Sequence, residues 1–128
     1  MKFLLDTHLL IWLAEDSPNL PAAARDIVED DRNLLYFSAA SLWEISIKRQ
    51  LGRDDFQVDP MRLYRGLIDN DYTELSITAS HTIAVDALPP LHKDPFDRIL
   101  VAQARVEGIT LLTMDSLVAR YPGPIRLL

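Results

Sequence analysis

The chain has 128 residues, of which 48% are hydrophobic and 25% charged, so we predict a single globular domain over 1–128. It has no cysteine, which excludes disulfides, thiolate zinc sites and cysteine nucleophiles. It has neither an apolar run of about 18 residues nor a signal-like segment, so we predict a cytoplasmic protein with no membrane contact. The net charge of −6 argues against a surface that coats nucleic acid, although an acidic site filled with divalent cations reverses its local potential.

Short apolar runs alternate with helix-like segments along nearly the whole chain. The predicted strands are Lys2–Leu5, Leu34–Phe37, Thr73–Ile77, Ile109–Thr113 and Ile125–Leu128. Helices are predicted to begin near Thr7, Pro21, Ser38, Met61, Thr78 and Asp94, with a short helix over Ser116–Tyr121 and a loop over 54–60. Strands that alternate with helices indicate parallel pairing through crossovers. We therefore predict an α/β fold, a three-layer α/β/α sandwich with a mainly parallel central sheet.

Acidic residues return to one edge of this predicted sheet. Asp6 follows the first strand and Asp115 follows the fourth, so both stand at the carboxyl ends of parallel strands, where open α/β sheets bind ligands. Asp97 lies in the first turn of the helix before the fourth strand, and Glu44 lies in the helix after the second. Four such carboxylates repel one another unless cations neutralise them, and hard oxygen ligands indicate Mg²⁺ or Mn²⁺. Sites of this kind serve phosphoryl transfer.

Most of these carboxylates also have a purely structural interpretation. Asp6 and Asp115 could each cap the helix that follows. Asp94 precedes Pro95, and an N-cap followed by proline is favoured over direct metal binding by Asp94. That arrangement places Asp97 at the third helical position, where a carboxylate could serve the helix dipole.

Glu44 is the most informative of the four, because a glutamate inside a helix caps nothing. It borders an apolar stripe at helical spacing, made of Ala40, Trp43, Ile47 and Leu51. The alternative for Glu44 is an ion pair with Lys48 one turn later, worth a few tenths of a kcal/mol. Trp12 and Leu13 on the first helix could belong to an interface, although a place in the core is favoured.

Four segments of the chain, in order, resemble the acidic motifs of the PIN domain: MKFLLDTH, SAASLWEISIK, DPFDRILVAQA and LLTMDSLV. More narrowly, they resemble VapC-type toxin ribonucleases of prokaryotic toxin–antitoxin systems, in the subgroup with a His-x-Asp-Pro-Phe-Asp-Arg signature. The resemblance covers essentially the whole chain. It implies a metal-dependent endoribonuclease that cuts single-stranded or loop RNA and is inhibited by a cognate antitoxin. We also expect a homodimer.

The resemblance also assigns roles to individual residues. It implies that Asp6, Glu44, Asp97 and Asp115 hold Mg²⁺ or Mn²⁺ and orient the attacking water. Asp97 is preferred to Asp94 at the third position, because it is Asp97 that directly precedes the apolar helix, as in the family.

Other positions would support the carboxylates or contact the substrate. Thr7, Ser41 and Thr113 resemble hydroxyl positions that hydrogen-bond to the carboxylates. His92 and Arg98 belong to the subgroup signature and could contact phosphate; alternatively, Arg98 pairs with a neighbouring carboxylate and His92 only lies in a loop. A basic rim for RNA could be formed by Lys48, Arg49, Arg53, Lys93 and Arg98.

Two other functions are compatible with an acidic α/β domain of this size. A phosphoacceptor receiver domain needs two acidic residues after the first strand and a lysine after the last, but here Thr7 and His8 follow Asp6 and no lysine follows Asp115. The second is a PIN-fold binding module that has lost its chemistry, and the four retained acidic positions argue against it.

Overall fold

A computed structural model describes residues 1–128. The strands are β1 (Lys2–Leu5), β2 (Leu34–Ser38), β3 (Thr73–Leu75), β4 (Thr110–Thr113) and β5 (Ile125–Leu127). The helices are α1 (Thr7–Ala14), α2 (Ala22–Glu29), α3 (Ala39–Gln50), α4 (Pro60–Asp69), α5 (Ala79–Asp86) and α6 (Pro95–Glu107). Short 3₁₀ turns occur at Asp54–Phe56 and Val118–Arg120.

All five strands pair in parallel, in the spatial order β3-β2-β1-β4-β5. The chain builds outward from β1 through β2 to β3 and then returns to β4 on the other side of β1. Leu5 at the end of β1 is paired with Leu112 of β4, so the carboxyl ends of these two strands are neighbours. In an open α/β sheet, this reversal of strand order is where ligands bind. The predicted α/β/α sandwich with a parallel sheet is confirmed.

Each face of the sheet is covered by its own core. Phe3 and Leu5 point into a cluster formed with α1, α2 and α4, whereas Leu4 between them points into a cluster formed with α5 and α6. Strand β1 is therefore apolar at both faces, which holds its end rigidly. Trp12 and Leu13 are half-buried and pack against the first core, as the favoured interpretation requires. No helix is both long and apolar enough to cross a bilayer.

The predicted elements are present, although several of their bounds differ by one or two residues. Strand β3 stops at Leu75 rather than Ile77, because its partner β2 ends at Ser38, which pairs with Leu75. The short helix predicted over Ser116–Tyr121 is only a 3₁₀ turn. The predicted loop over 54–60 also contains a 3₁₀ turn, which places Phe56 fully inside the first core.

Candidate metal centre

A polar cleft of about 240 Å³ opens at the carboxyl edge of the sheet. No hydrophobic residue lines it; the walls are Asp6, Thr7, His8, Glu44, Lys48, Arg53, His92, Asp94, Asp97 and Asp115. The structure thus brings together all four acidic residues singled out from the sequence. A larger groove of about 860 Å³ lies elsewhere, between α1 and α4, and it is lined mainly by hydrophobic residues.

Asp6 is placed by the end of β1 and by the start of α1. Its backbone N–H donates to Leu112 O (3.1 Å), while its Oδ1 accepts the Leu9 N–H (3.0 Å) and caps α1. Its Oδ2 accepts a long hydrogen bond from the Met114 N–H (3.4 Å). Burial raises the pKa of Asp6, and hydrogen bonds from Leu9, Thr113 and Met114 only partly offset this effect. Asp6 therefore joins the ends of β1 and β4, and its charge has no cationic hydrogen-bond partner.

Asp115 reaches the same cleft from the loop after β4. Its backbone N–H donates to Thr113 Oγ1 (3.0 Å), and its Oδ1 accepts the Leu117 N–H (2.8 Å). The other oxygen, Oδ2, lies 3.1 Å from His92 Nε2. Thr113 thus contacts both aspartates that follow the central strands, in agreement with the supporting position predicted for it.

The start of α6 supplies two further carboxylates. Asp94 caps the helix, since its Oδ1 accepts the Phe96 N–H (2.9 Å), and Pro95 occupies the first helical position, so the predicted cap is confirmed. Asp97 then faces the cleft, with its Oδ2 at 3.2 Å from His92 Nε2. Burial, followed by the negative charges of Asp94 and Glu44, raises the pKa of Asp97 to about 7. Burial and the neighbouring carboxylates thus outweigh the opposing effect of His92 on Asp97.

His92 lies inside the cleft and is held in one orientation. Its Nδ1 accepts the Asp94 N–H (3.0 Å), so in the neutral ring the hydrogen is on Nε2, which faces Asp97 and Asp115. Its backbone N–H donates to Tyr121 Oη (2.8 Å). His92 is therefore positioned to donate a hydrogen bond to Asp115 while its Nε2 also lies close to Asp97.

Glu44 is buried, with 3% of its surface exposed. Thr7 Oγ1 donates to its Oε1 (2.6 Å) and lies 3.0 Å from Ser41 Oγ, while Lys48 Nζ donates to its Oε2 (2.5 Å). Both oxygens of Glu44 are thus occupied by side chains of the protein. The hydroxyl positions predicted at Thr7 and Ser41 lie behind Glu44.

Helix α3 buries only part of its apolar stripe. Ala40 is buried and Ile47 is half-buried, but Trp43 is 60% exposed and Leu51 is 74% exposed. Glu44 and Ser41 are buried together with Ile45, so the side of α3 that meets the cleft carries polar residues.

Arg98 does not line the cleft. Its guanidinium donates to Pro89 O (3.0 Å), Val85 O (3.2 Å) and Tyr121 Oη (3.0 Å), which joins the end of α5 to the segment after β4. Arg98 forms no ion pair with a carboxylate, so that alternative is wrong, whereas its contact with phosphate stays a prediction. Of the predicted basic rim, only Lys48 and Arg53 reach the cleft.

The sequence interpretation missed three features of the cleft. Lys48 Nζ, besides its predicted pairing with Glu44, also donates to Asp94 Oδ2 (3.0 Å), which is 46 residues away. His8 lines the cleft, and Asp55 engages both His8 (3.2 Å) and the predicted rim residue Arg53 (3.0 Å). The position of His8 two residues after Asp6 was the only available signal.

The donor atoms suit a hard divalent cation. One atom each from His92, Asp97 and Asp115 can be chosen so that all three lie within 4.8 Å of one another. Asp6 lines the same cleft without a cationic partner. Carboxylate oxygens without a thiolate favour Mg²⁺ or Mn²⁺ over softer metals.

Three solved structures share the fold, each at low sequence identity. VapBC2 from Rickettsia felis, bound to a DNA fragment from its promoter, matches with a TM-score of 0.70 and 14% identity over 100% of this chain and 99% of that chain. DNA-bound VapBC from Salmonella typhimurium matches with a TM-score of 0.69 and 18% identity over 98% of this chain and 97% of that chain. VapBC-1 from nontypeable Haemophilus influenzae matches with a TM-score of 0.58 and 18% identity over 90% of this chain and 87% of that chain.

No curated protein matches the sequence significantly. The model of the PIN domain family, in contrast, matches residues 3–124, which is almost the whole chain. With the parallel sheet and the acidic cleft described above, this match shows that the chain belongs to the PIN domain family.

Proposed function

We propose that this protein is a Mg²⁺- or Mn²⁺-dependent endoribonuclease that acts as the VapC-type toxin of a toxin–antitoxin pair. The observation that carries the proposal is the cluster of Asp6, Asp97 and Asp115 beside the ends of β1 and β4, where their negative charges have no cationic partner among the protein's Lys and Arg side chains. Membership of the PIN family and the likeness to VapBC complexes support it.

Asp6, Asp97 and Asp115 would hold the ion, as the resemblance implies. A divalent ion held there supplies Lewis acidity that polarises a phosphodiester and favours ionisation of the attacking water. The protein's own contribution is to fix the carboxylates before the substrate arrives. Thr113 and the Nε2–H of His92 orient Asp115, and the His92 ring also contacts Asp97. Glu44 completes the acidic cluster from α3.

An RNA backbone would approach from the solvent side of the cleft. Asp115 is its most exposed aspartate, with 42% of the side chain exposed, and Arg53 lies on the same wall. Because the chain is acidic overall, we expect the bound ion to supply much of the attraction for phosphate. RNA as the substrate, a homodimer and a cytoplasmic location are predictions of the same proposal.

The cognate antitoxin would need a surface that is large enough for a stable complex. The groove between α1 and α4 supplies apolar area, and its lining includes Leu13, Val58 and Leu63. The protein partners in the three VapBC structures support the expectation of such a partner.

Cleavage of RNA by the partner-free protein tests the proposal. We expect cleavage in Mn²⁺ or Mg²⁺, loss of cleavage in EDTA, and a loss of about 100-fold or more for Asp6→Asn and for Asp97→Asn. Asp26→Asn, an exposed carboxylate on α2, is the matched control and should cleave normally. Unchanged cleavage by both folded cleft variants would sink the assignment.

The receiver-domain alternative is disfavoured by topology. Receiver domains have the strand order 2-1-3-4-5, whereas this sheet has the order 3-2-1-4-5. An inactive PIN-fold binding module would not need three aspartates without cationic partners, and the cleavage assay decides between it and the nuclease.

A further inference from the structure

We propose that Lys48 is a built-in cation that fills the part of the cleft where a second metal ion would otherwise bind, so that the protein takes up one divalent ion rather than two. The inference rests on the proposed function, because it assumes that an ion binds among Asp6, Asp97 and Asp115. It also revises the role that the resemblance implies for Glu44.

Lys48 bridges two carboxylates that come from different parts of the chain. Its Nζ lies 2.5 Å from Glu44 Oε2 on α3 and 3.0 Å from Asp94 Oδ2 at the start of α6. A metal ion bound to both Glu44 Oε2 and Asp94 Oδ2 would lie between the same two oxygens. The ammonium group therefore occupies the position that such an ion would take.

The ammonium group is held in place by aromatic rings as well as by charge. Lys48 Nζ lies 4.8 Å from the centroid of Phe56, which is fully buried, and 5.6 Å from that of Phe96. Only 16% of the Lys48 side chain is exposed. A lysine that was held only by surface ion pairs would be mobile, whereas these contacts restrict Nζ to the space between Glu44 and Asp94.

The charges of the cleft divide into two halves. Five carboxylates line it, and Lys48 pairs with two of them, Glu44 and Asp94. Arg53 and His8, the other basic residues there apart from His92, are engaged by Asp55. The remaining half holds Asp6, Asp97 and Asp115, and this half alone lacks a positive charge.

The pKa of Asp94 agrees with this division. Burial raises it, but the hydrogen bonds from Lys48 and from the Phe96 N–H, together with the charge of Lys48, outweigh burial, and the net shift is downward. Both carboxylates of this half thus already share a cation, and Glu44 acts as a positioning residue that anchors Lys48 rather than as a metal ligand.

Titration of the full-length protein with Mn²⁺ alone tests the inference. Calorimetry should give one Mn²⁺ per wild-type chain, and electron paramagnetic resonance should show an isolated ion. Lys48→Met removes the charge while keeping the apolar stem, so it should bind two Mn²⁺, whose spins couple because paired metal sites lie about 3.5–4 Å apart. Lys48→Arg, the matched control, keeps the charge and should bind one.

A second comparison keeps the test decisive if Lys48→Met does not fold. Glu44→Gln should weaken Mn²⁺ binding less than about threefold, whereas Asp97→Asn should weaken it about tenfold or more. Two Mn²⁺ in the wild type, one in folded Lys48→Met, or equal losses in Glu44→Gln and Asp97→Asn would each overturn the inference.

The outcomes separate this inference from the proposed function. A protein that cleaves RNA but binds two Mn²⁺ contradicts only the role of Lys48. A protein that binds one Mn²⁺ and cleaves no RNA contradicts only the nuclease assignment.

Discussion

Asp97 and Arg98 are neighbours in the sequence, but they belong to two very different polar regions. Arg98 lies in a matched cluster, in which its guanidinium donates to two backbone carbonyls and to the Tyr121 hydroxyl. Asp97 lies in an unmatched cluster, in which the charges of Asp94 and Glu44 add to the effect of burial and raise its pKa to about 7. Polar groups whose hydrogen bonds are satisfied by protein partners join elements of the fold. Carboxylates without a cationic partner at the sheet edge favour binding of a cation instead. Stability measurements can test this contrast.

Removing Arg98 should have the largest effect on stability. Arg98→Met leaves two carbonyls and one hydroxyl without their charged donor, so we expect a loss of about 3 kcal/mol of unfolding free energy. Urea denaturation of the metal-free protein measures it. Arg65→Met, an exposed arginine on α4, is the control and should change stability by less than about 0.5 kcal/mol. Equal effects of the two substitutions would contradict the structural role of Arg98.

Neutralising Asp97 should have the opposite effect and raise the free energy of unfolding. At about pH 8, Asp97→Asn removes a buried negative charge that its neighbours repel, and we expect a gain of about 2 kcal/mol in the metal-free protein. The same urea denaturation measures it, with Asp26→Asn on the surface as control. If Asp97→Asn lowered the stability of the metal-free protein, the charge of Asp97 would stabilise the fold rather than be repelled by its neighbours.

The stability of the wild type relative to Asp97→Asn should depend on pH. The pKa of Asp97 is raised from 3.8 to about 7, so the unfolded chain loses this proton at lower pH than the folded protein does. The wild type should therefore lose stability relative to the variant as pH rises from about 4 to about 7, and the difference should level off above that range. Urea midpoints of both proteins across this range measure the effect. A difference that is independent of pH would contradict the raised pKa.

Removing the Tyr121 hydroxyl, which connects the regions around Asp97 and Arg98, should have the smallest effect on stability. Tyr121 Oη accepts hydrogen bonds from the His92 N–H and from Arg98 Nη1, so Tyr121→Phe should cost about 1 kcal/mol of stability. Tyr64 is a suitable control, because its ring packs on Phe37 and no hydrogen bond to its hydroxyl is found. If Tyr121→Phe and Tyr64→Phe had the same effect, this connection would contribute nothing measurable.

The order of strands and helices could be predicted from the sequence because each element has a simple signal. The runs at β1 and β4 are apolar throughout, as expected for strands buried on both faces. Asp94-Pro95 marks the start of α6. Parallel pairing then brings Asp6 and Asp115 to one edge without any knowledge of side-chain positions.

The contacts inside the cleft could not be predicted in the same way. Sequence spacing reveals the pair of Glu44 and Lys48 on one helix, but not the contact of Lys48 with Asp94, which depends on how α3 packs against α6. Helical periodicity alone does not reveal which side of α3 is buried, because hydrophobicity identifies the buried side only where the neighbouring surface is apolar. Trp43 is exposed and Glu44 is buried for this reason.

Asp6 and Asp115 can each act as a cap and as a metal ligand at the same time, two roles that the sequence presented as alternatives. In each residue Oδ1 accepts a backbone N–H, from Leu9 and Leu117 respectively, and Oδ2 is left for other partners. A carboxylate held in this way presents mainly one oxygen to an ion, which favours monodentate over bidentate coordination. Ca²⁺ takes six to eight oxygens and often uses both oxygens of a carboxylate, whereas Mg²⁺ is satisfied by one from each. The backbone at these two turns therefore favours small octahedral ions, and we expect Ca²⁺ to be a poor substitute.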